Sequence, residues 1–136
     1  MVYNVRQLEP NDYEDLLVGW WKDWRWSAPP KDFLPDNGTG GILVSEDDKP
    51  ICAGFLYQTN SGVAWVDWII SDFQYKDRES RKDAISLLID TLTQTAKAMG
   101  YKYTYALIKN KGLIDVYKSL GYTEGDVYNS EMIKRL

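Results

Sequence analysis

Midway along this chain the spacing of apolar residues lengthens from a strand to a helical period, and that change limits the folds open to it. Three strand-like runs, Ile42–Ser45, Ile51–Gln58 and Val63–Ile70, are separated only by the turn signals Glu46-Asp47-Asp48-Lys49-Pro50 and Asn60-Ser61-Gly62. Connections this short join antiparallel neighbours, because a parallel pair needs a crossover of about a dozen residues or more. After the charged segment Lys76–Asp83 the period lengthens. Ala84, Leu87, Leu88, Thr91, Leu92, Thr95, Ala98 and Met99 recur at three and four residues, the spacing of one helix face. Gly100 can close this helix in a left-handed conformation, and Ser80 with Asp83 forms a capping-box-like pair at its start.

The flanks extend the pattern. Residues 2–8 have strand character, and Pro10-Asn11-Asp12 ends that strand and leads into a helix from Tyr13 to about Trp24. Trp26 to Gly41 carries Pro29, Pro30, Pro35, Gly38 and Gly40 and reads as a loop. Beyond Gly100, Tyr101–Ile108 is strand-like, Leu113–Leu120 is helical, and Tyr122–Val127 with Ser130–Leu136 supplies a final pair of strands. Strands and helices in this order predict an α+β protein, a mixed sheet with helices on its faces, in residues 1–136 as a single domain.

Composition removes several chemistries. The 136 residues include no histidine, so imidazole metal ligands, Ser-His-Asp triads and histidine bases are excluded together. The lone cysteine, Cys52, lies in an apolar strand pattern and reads as a packed thiol. A formal net charge of −4 argues against a nucleic-acid surface, which needs basic residues to displace counterions. No apolar run approaches the ~20 residues of a membrane span, and the N-terminus lacks a signal-peptide pattern, so a cytoplasmic protein without metal, nucleic acid or membrane is expected.

The run NKGLIDVYKSLGY places Leu113, Val116, Tyr117 and Leu120 on one helix face, with Gly121 at the position of a left-handed terminator. From periodicity alone Tyr117 is a core aromatic. The run also resembles the C-terminal motif of the GNAT superfamily of N-acetyltransferases, Asn-x-x-Ala-x-x-x-Tyr-x-x-x-Gly-Phe, with Leu113 for Ala and Tyr122 for Phe. The order of elements resembles the GNAT fold over nearly the whole chain. That resemblance implies six to seven mostly antiparallel strands, splayed at the fourth and fifth, with acetyl-CoA as co-substrate and an amine as acceptor.

The resemblance also implies roles. Tyr117 would protonate the departing thiolate, Asp67 would act as base, and backbone N–H groups near Ile70 and Ser71 would receive the carbonyl oxygen. Asn110 would anchor the turn before its helix or contact the pantetheine arm. On alternation alone Asp67 is simply an outward-facing strand residue. The family's diphosphate turn is glycine-rich, whereas YKDRESRKDA has no glycine. Arg78, Ser80, Arg81 and Lys82 could replace backbone contact by charge-assisted hydrogen bonds, or the segment is a solvated helix start. In GWWKDWRW, Trp20 and Trp24 share a face with Leu16 and Leu17, and Trp21, Trp24 and Trp26 are the candidates for a substrate-facing wall, a packed lid or a homodimer interface. The alternative function is a GNAT-like interaction module that has lost cofactor chemistry and uses the tryptophan region as its contact surface.

Overall fold

A computed structural model describes residues 2–136. Among the described residues five strands form one sheet: β1 (Tyr3–Gln7), β2 (Gly41–Glu46), β3 (Lys49–Tyr57), β4 (Val63–Ser71) and β5 (Tyr103–Tyr105). They lie in chain order, antiparallel from β1 to β4 and parallel between β4 and β5. The helix expected after the charged segment, α2 (Arg78–Ala98), is the crossover that makes the parallel step possible. Helix α1 (Val18–Asp23) continues a π-helical turn at Tyr13–Leu17, and α3 (Lys111–Ser119) follows β5.

Alternation along the strands divides the core in two. On one face Val44, Cys52, Leu56, Ala64 and Val66 meet α2 and α3; on the other Leu43, Ala53, Phe55 and Ile70 meet Leu17, Trp20, Trp21 and Leu34. Helix α2 comes close to the sheet because Gly54 has no side chain. A Cβ there would lie 2.5 Å from Ile69 Cδ1 and 3.3 Å from Leu88 Cδ2. Cys52 is fully buried, and burial pushes its thiol pKa up, which fits the packed thiol expected.

The structure corrects several expectations. Tyr122–Val127 and Ser130–Leu136 form no strands, and Val127, Met132 and Ile133 are exposed, so the sheet has five strands rather than six or seven. Strand β5 is only three residues long and presents little edge for them to join. Asp77, not Ser80, caps α2: its carboxylate accepts from Ser80 N at 3.1 Å and Ser80 Oγ at 3.0 Å. Trp21 is buried together with Trp20, while Trp24 is only half-buried. Counted from Leu17, Trp20, Trp21 and Trp24 follow at i+3, i+4 and i+7, so Trp21 shares the buried face that begins at Leu17.

Near β1, Asp12 is buried and accepts from Arg6 Nη1 at 2.7 Å, Arg6 Nη2 at 3.0 Å and Glu9 N at 2.6 Å. The hydrogen bonds from Arg6 hold its pKa below the ordinary 3.8 against the opposing effect of burial. Asp12 therefore stabilises the fold above its unfolded pKa, and this is lost as pH falls through the depressed folded value. We expect Asp12→Asn to cost about 1–2 kcal/mol at neutral pH, Arg6 being partly screened by solvent, with the gap to wild type closing in acid. Urea unfolding across pH checks this. In the same assay Gly54→Ala should cost about 1–3 kcal/mol through overpacking against Ile69 and Leu88.

Candidate functional site

Strand β4 pairs with β5 only through Val63–Tyr103, Ala64–Thr104 and Trp65–Tyr105. From Val66 to Ser71 it continues with no strand on that side among the described residues. The side chain of Asp67 marks the parting. Its Oδ2 accepts from Leu107 N at 3.0 Å, so an amide two residues beyond the paired segment reaches a carboxylate instead of a strand carbonyl. Oδ1 accepts from Trp68 N at 2.8 Å.

The residue after Asp67 breaks the pleat. Phe55 pairs with Asp67 and Ala53 with Ile70, so Gly54 faces two residues, Trp68 and Ile69, across a bulge. Trp68 has φ +56°, a left-handed conformation uncommon for a bulky side chain. The bulge resets the alternation. Val66 and Ile69 face α2, whereas Trp68 and Ile70 face the α1 side. Ile70 and Ser71 pair with Ala53 and Cys52, and the positions outside the β3 ladder are Trp68 and Ile69.

Tyr117 and Asp67 approach this unpaired half of β4 from α3 and from β4 itself. Tyr117 is 2% exposed, its ring meets Tyr122 edge-on at 4.9 Å, and its hydroxyl donates to Val66 O at 2.7 Å. Burial, then the charge of Asp67, raises its pKa, so the phenol stays protonated at neutral pH. Burial likewise raises the pKa of Asp67, against the pull of its two backbone donors. Asn110 caps α3, its Oδ1 accepting from Leu113 N at 3.0 Å, which makes it the anchor of the turn. Two surface concavities lie elsewhere, at the β2–β3 turn beside Tyr75 and next to it beside Asn4 and Arg6.

The start of α2 follows the end of β4. Asp77 already places a carboxylate on its first turn, Arg78 and Lys82 are exposed, and Arg81 donates to Tyr75 O at 3.2 Å. Trp24 Nε1 donates to Ser71 O at 2.7 Å, and its ring stacks on Trp26 at 5.4 Å and lies under the Arg81 guanidinium at 5.8 Å. The three tryptophans of the expected wall thus separate: Trp21 lies in the core, while Trp24 and Trp26 sit at the end of β4. The aromatics beside Asp67 are different ones. Trp68 contacts Phe33 at 5.5 Å and Trp21 at 6.4 Å, and Trp65 contacts Tyr105 at 4.6 Å. Phe33 lies in the Pro-rich loop and Trp68 in a bulge, so no periodicity in the sequence pointed to them. The Asp-Trp pair interrupting an apolar run was the one available signal.

No protein-family model matches the chain, and no curated protein matches it in sequence. Solved structures do match. Glucosamine-6-phosphate N-acetyltransferase from Arabidopsis thaliana aligns at a TM-score of 0.66 and 10% identity, covering 98% of this chain and 100% of its own. A GNAT family acetyltransferase from Staphylococcus aureus aligns at 0.61 and 15%, covering 98% and 100%. N-acetylglutamate synthase from Neisseria gonorrhoeae, complexed with coenzyme A and N-acetyl-glutamate, aligns at 0.67 and 12%, covering 87% of this chain and 28% of its own. At such identities the likeness is one of fold: the chain has the mixed α+β fold of the GNAT acetyltransferases.

Proposed function

We propose that the chain is an acetyl-CoA-dependent N-acetyltransferase that passes acetyl to an amine acceptor by direct attack. The observation that supports this reading is the unpaired half of β4, which combines a left-handed bulge at Trp68 with Asp67 at its start and the Tyr117 hydroxyl on Val66 O. A pantetheine arm lying along Val66–Ser71 would bring its thioester to the bulge, where main-chain groups outside the β3 ladder can receive the carbonyl oxygen. The amine nitrogen forms the new N–C bond as the C–S bond breaks. Its proton passes to Asp67, directly or through water, and Tyr117 protonates the leaving thiolate. A raised carboxylate pKa improves Asp67 as base. For this step Tyr117 must release Val66 O.

The diphosphate end fits less closely. A helix N-terminus attracts anions, but here Asp77 occupies the first turn and no glycine lets a phosphate approach the backbone. Arg78 and Lys82, exposed on that turn, would have to supply the grip. The Asp77 cap therefore favours a second reading, a GNAT-fold interaction module without acetyl transfer.

Calorimetry with acetyl-CoA separates the two. We expect weak but measurable binding and a thermal shift at millimolar cofactor; the absence of both would overturn the enzymatic reading. Tyr117→Phe should lower acetyl-CoA turnover by about tenfold or more and cost about 1–2 kcal/mol of stability by leaving a buried carbonyl without its donor. Loss of stability alone, with turnover unchanged, would make Tyr117 a packing residue.

A further inference from the structure

Asp67 differs from Asp12 in one respect. The chain supplies Asp12 with a guanidinium, yet none of the ion pairs among the described residues includes Asp67. Glu131 adds a second negative charge to the field at this carboxylate. A largely buried carboxylate without a cation is costly unless its remaining lone pairs find one. Two backbone N–H groups occupy part of its capacity, and a carboxylate has about four acceptor sites.

The surroundings of Asp67 are aromatic. Tyr57 and Trp65 oppose each other in the β3–β4 ladder, on the same sheet face as the Phe55–Asp67 pair. The bulge adds Trp68 to that side, and Phe33 is held over it, its ring edge-on to Trp68 and its carbonyl accepting from Tyr57 Oη at 3.1 Å. Phe33 is 39% exposed, and Tyr57, Trp65 and Trp68 are half-buried, so the group borders solvent. A regular strand would have turned Trp68 away; the left-handed conformation brings it here.

We propose that Asp67, with Tyr57, Trp65, Trp68 and Phe33, forms a recognition site for an organic cation, an ammonium group carried on an apolar or aromatic body. The carboxylate pairs with the charge, and the indole and phenyl rings cover the adjoining carbons and attract the cation through their π faces. The site names the class of acceptor for the transfer proposed above and rests on that reading for its catalytic meaning. As a binding site it stands on its own geometry. The same carboxylate that holds the ammonium would take its proton, so recognition and activation use one residue.

The test uses the full chain and two probes of equal shape, benzylammonium and benzyl alcohol, titrated by tryptophan fluorescence. The cation should bind about tenfold more tightly than the alcohol. Asp67→Asn, shown folded by circular dichroism, should abolish that preference, and Phe33→Ala should weaken the cation by about threefold or more. Equal affinity for the two probes in the wild type, or a preference retained in folded Asp67→Asn, would overturn the proposal. Should Asp67→Asn fail to fold, Phe33→Ala decides: undiminished cation affinity overturns the site. If the cation binds and acetyl-CoA does not, the recognition site stands and acetyl transfer falls. If acetyl-CoA binds and the probes are not distinguished, only the recognition site falls.

Discussion

The hydrogen bond from Leu107 N to the Asp67 carboxylate decides the shape of this sheet. Parallel strands that begin paired would ordinarily continue, since each unpaired backbone group costs free energy once it leaves water. Here a side chain takes the amide of Leu107, two residues past the paired segment, and β5 is released from β4 after three residues. The next residue enters the left-handed region, and the pleat shifts by one. Two adjacent positions, 67 and 68, therefore set where the sheet opens and which side chains border the opening.

What surrounds the opening is largely satisfied from within the chain. Val66 O receives the Tyr117 hydroxyl, Ser71 O receives the Trp24 indole, and the first turn of α2 receives Asp77. A ligand lying along this edge would exchange these bonds for its own, so its net affinity reflects a difference between two sets of hydrogen bonds. The weak acetyl-CoA binding proposed above would follow from that balance without any change of fold. The proposed acceptor side has the reverse character: among the described residues no ion pair includes Asp67, and its strand neighbours on that face are aromatic.

Much of the architecture was legible in the sequence because short turns and a change of period are local signals. The β2–β3–β4 meander, the long α2 helix and the α3 helix closed by Gly121 follow from spacing, whereas Asn110 as anchor of the turn before α3 was one of two roles the resemblance implied. Other features were not, each for a physical reason. Trp21 lies one helical turn beyond Leu17 and shares its buried face, which pairing Trp20 and Trp24 with Leu16 had hidden, and a bulge moved Trp68 to the face that alternation denies it. The cap on α2 went to Asp77, a residue outside the capping-box pattern. The terminal run after Gly121 has strand-like composition, but strands need an edge to join, and β5 provides three residues. Asp67 was visible as a lone carboxylate in a strand, whereas its aromatic surroundings depend on Phe33, distant in sequence and brought close by the fold.

The most direct test of the central claim, that the unpaired half of β4 is a ligand slot, is backbone amide NMR of the full chain titrated with acetyl-CoA. The account expects the largest shift changes at Val66–Ser71, with smaller ones at Asp77–Lys82 and Tyr117. Changes absent from Val66–Ser71, or confined to other parts of the sheet, would contradict it.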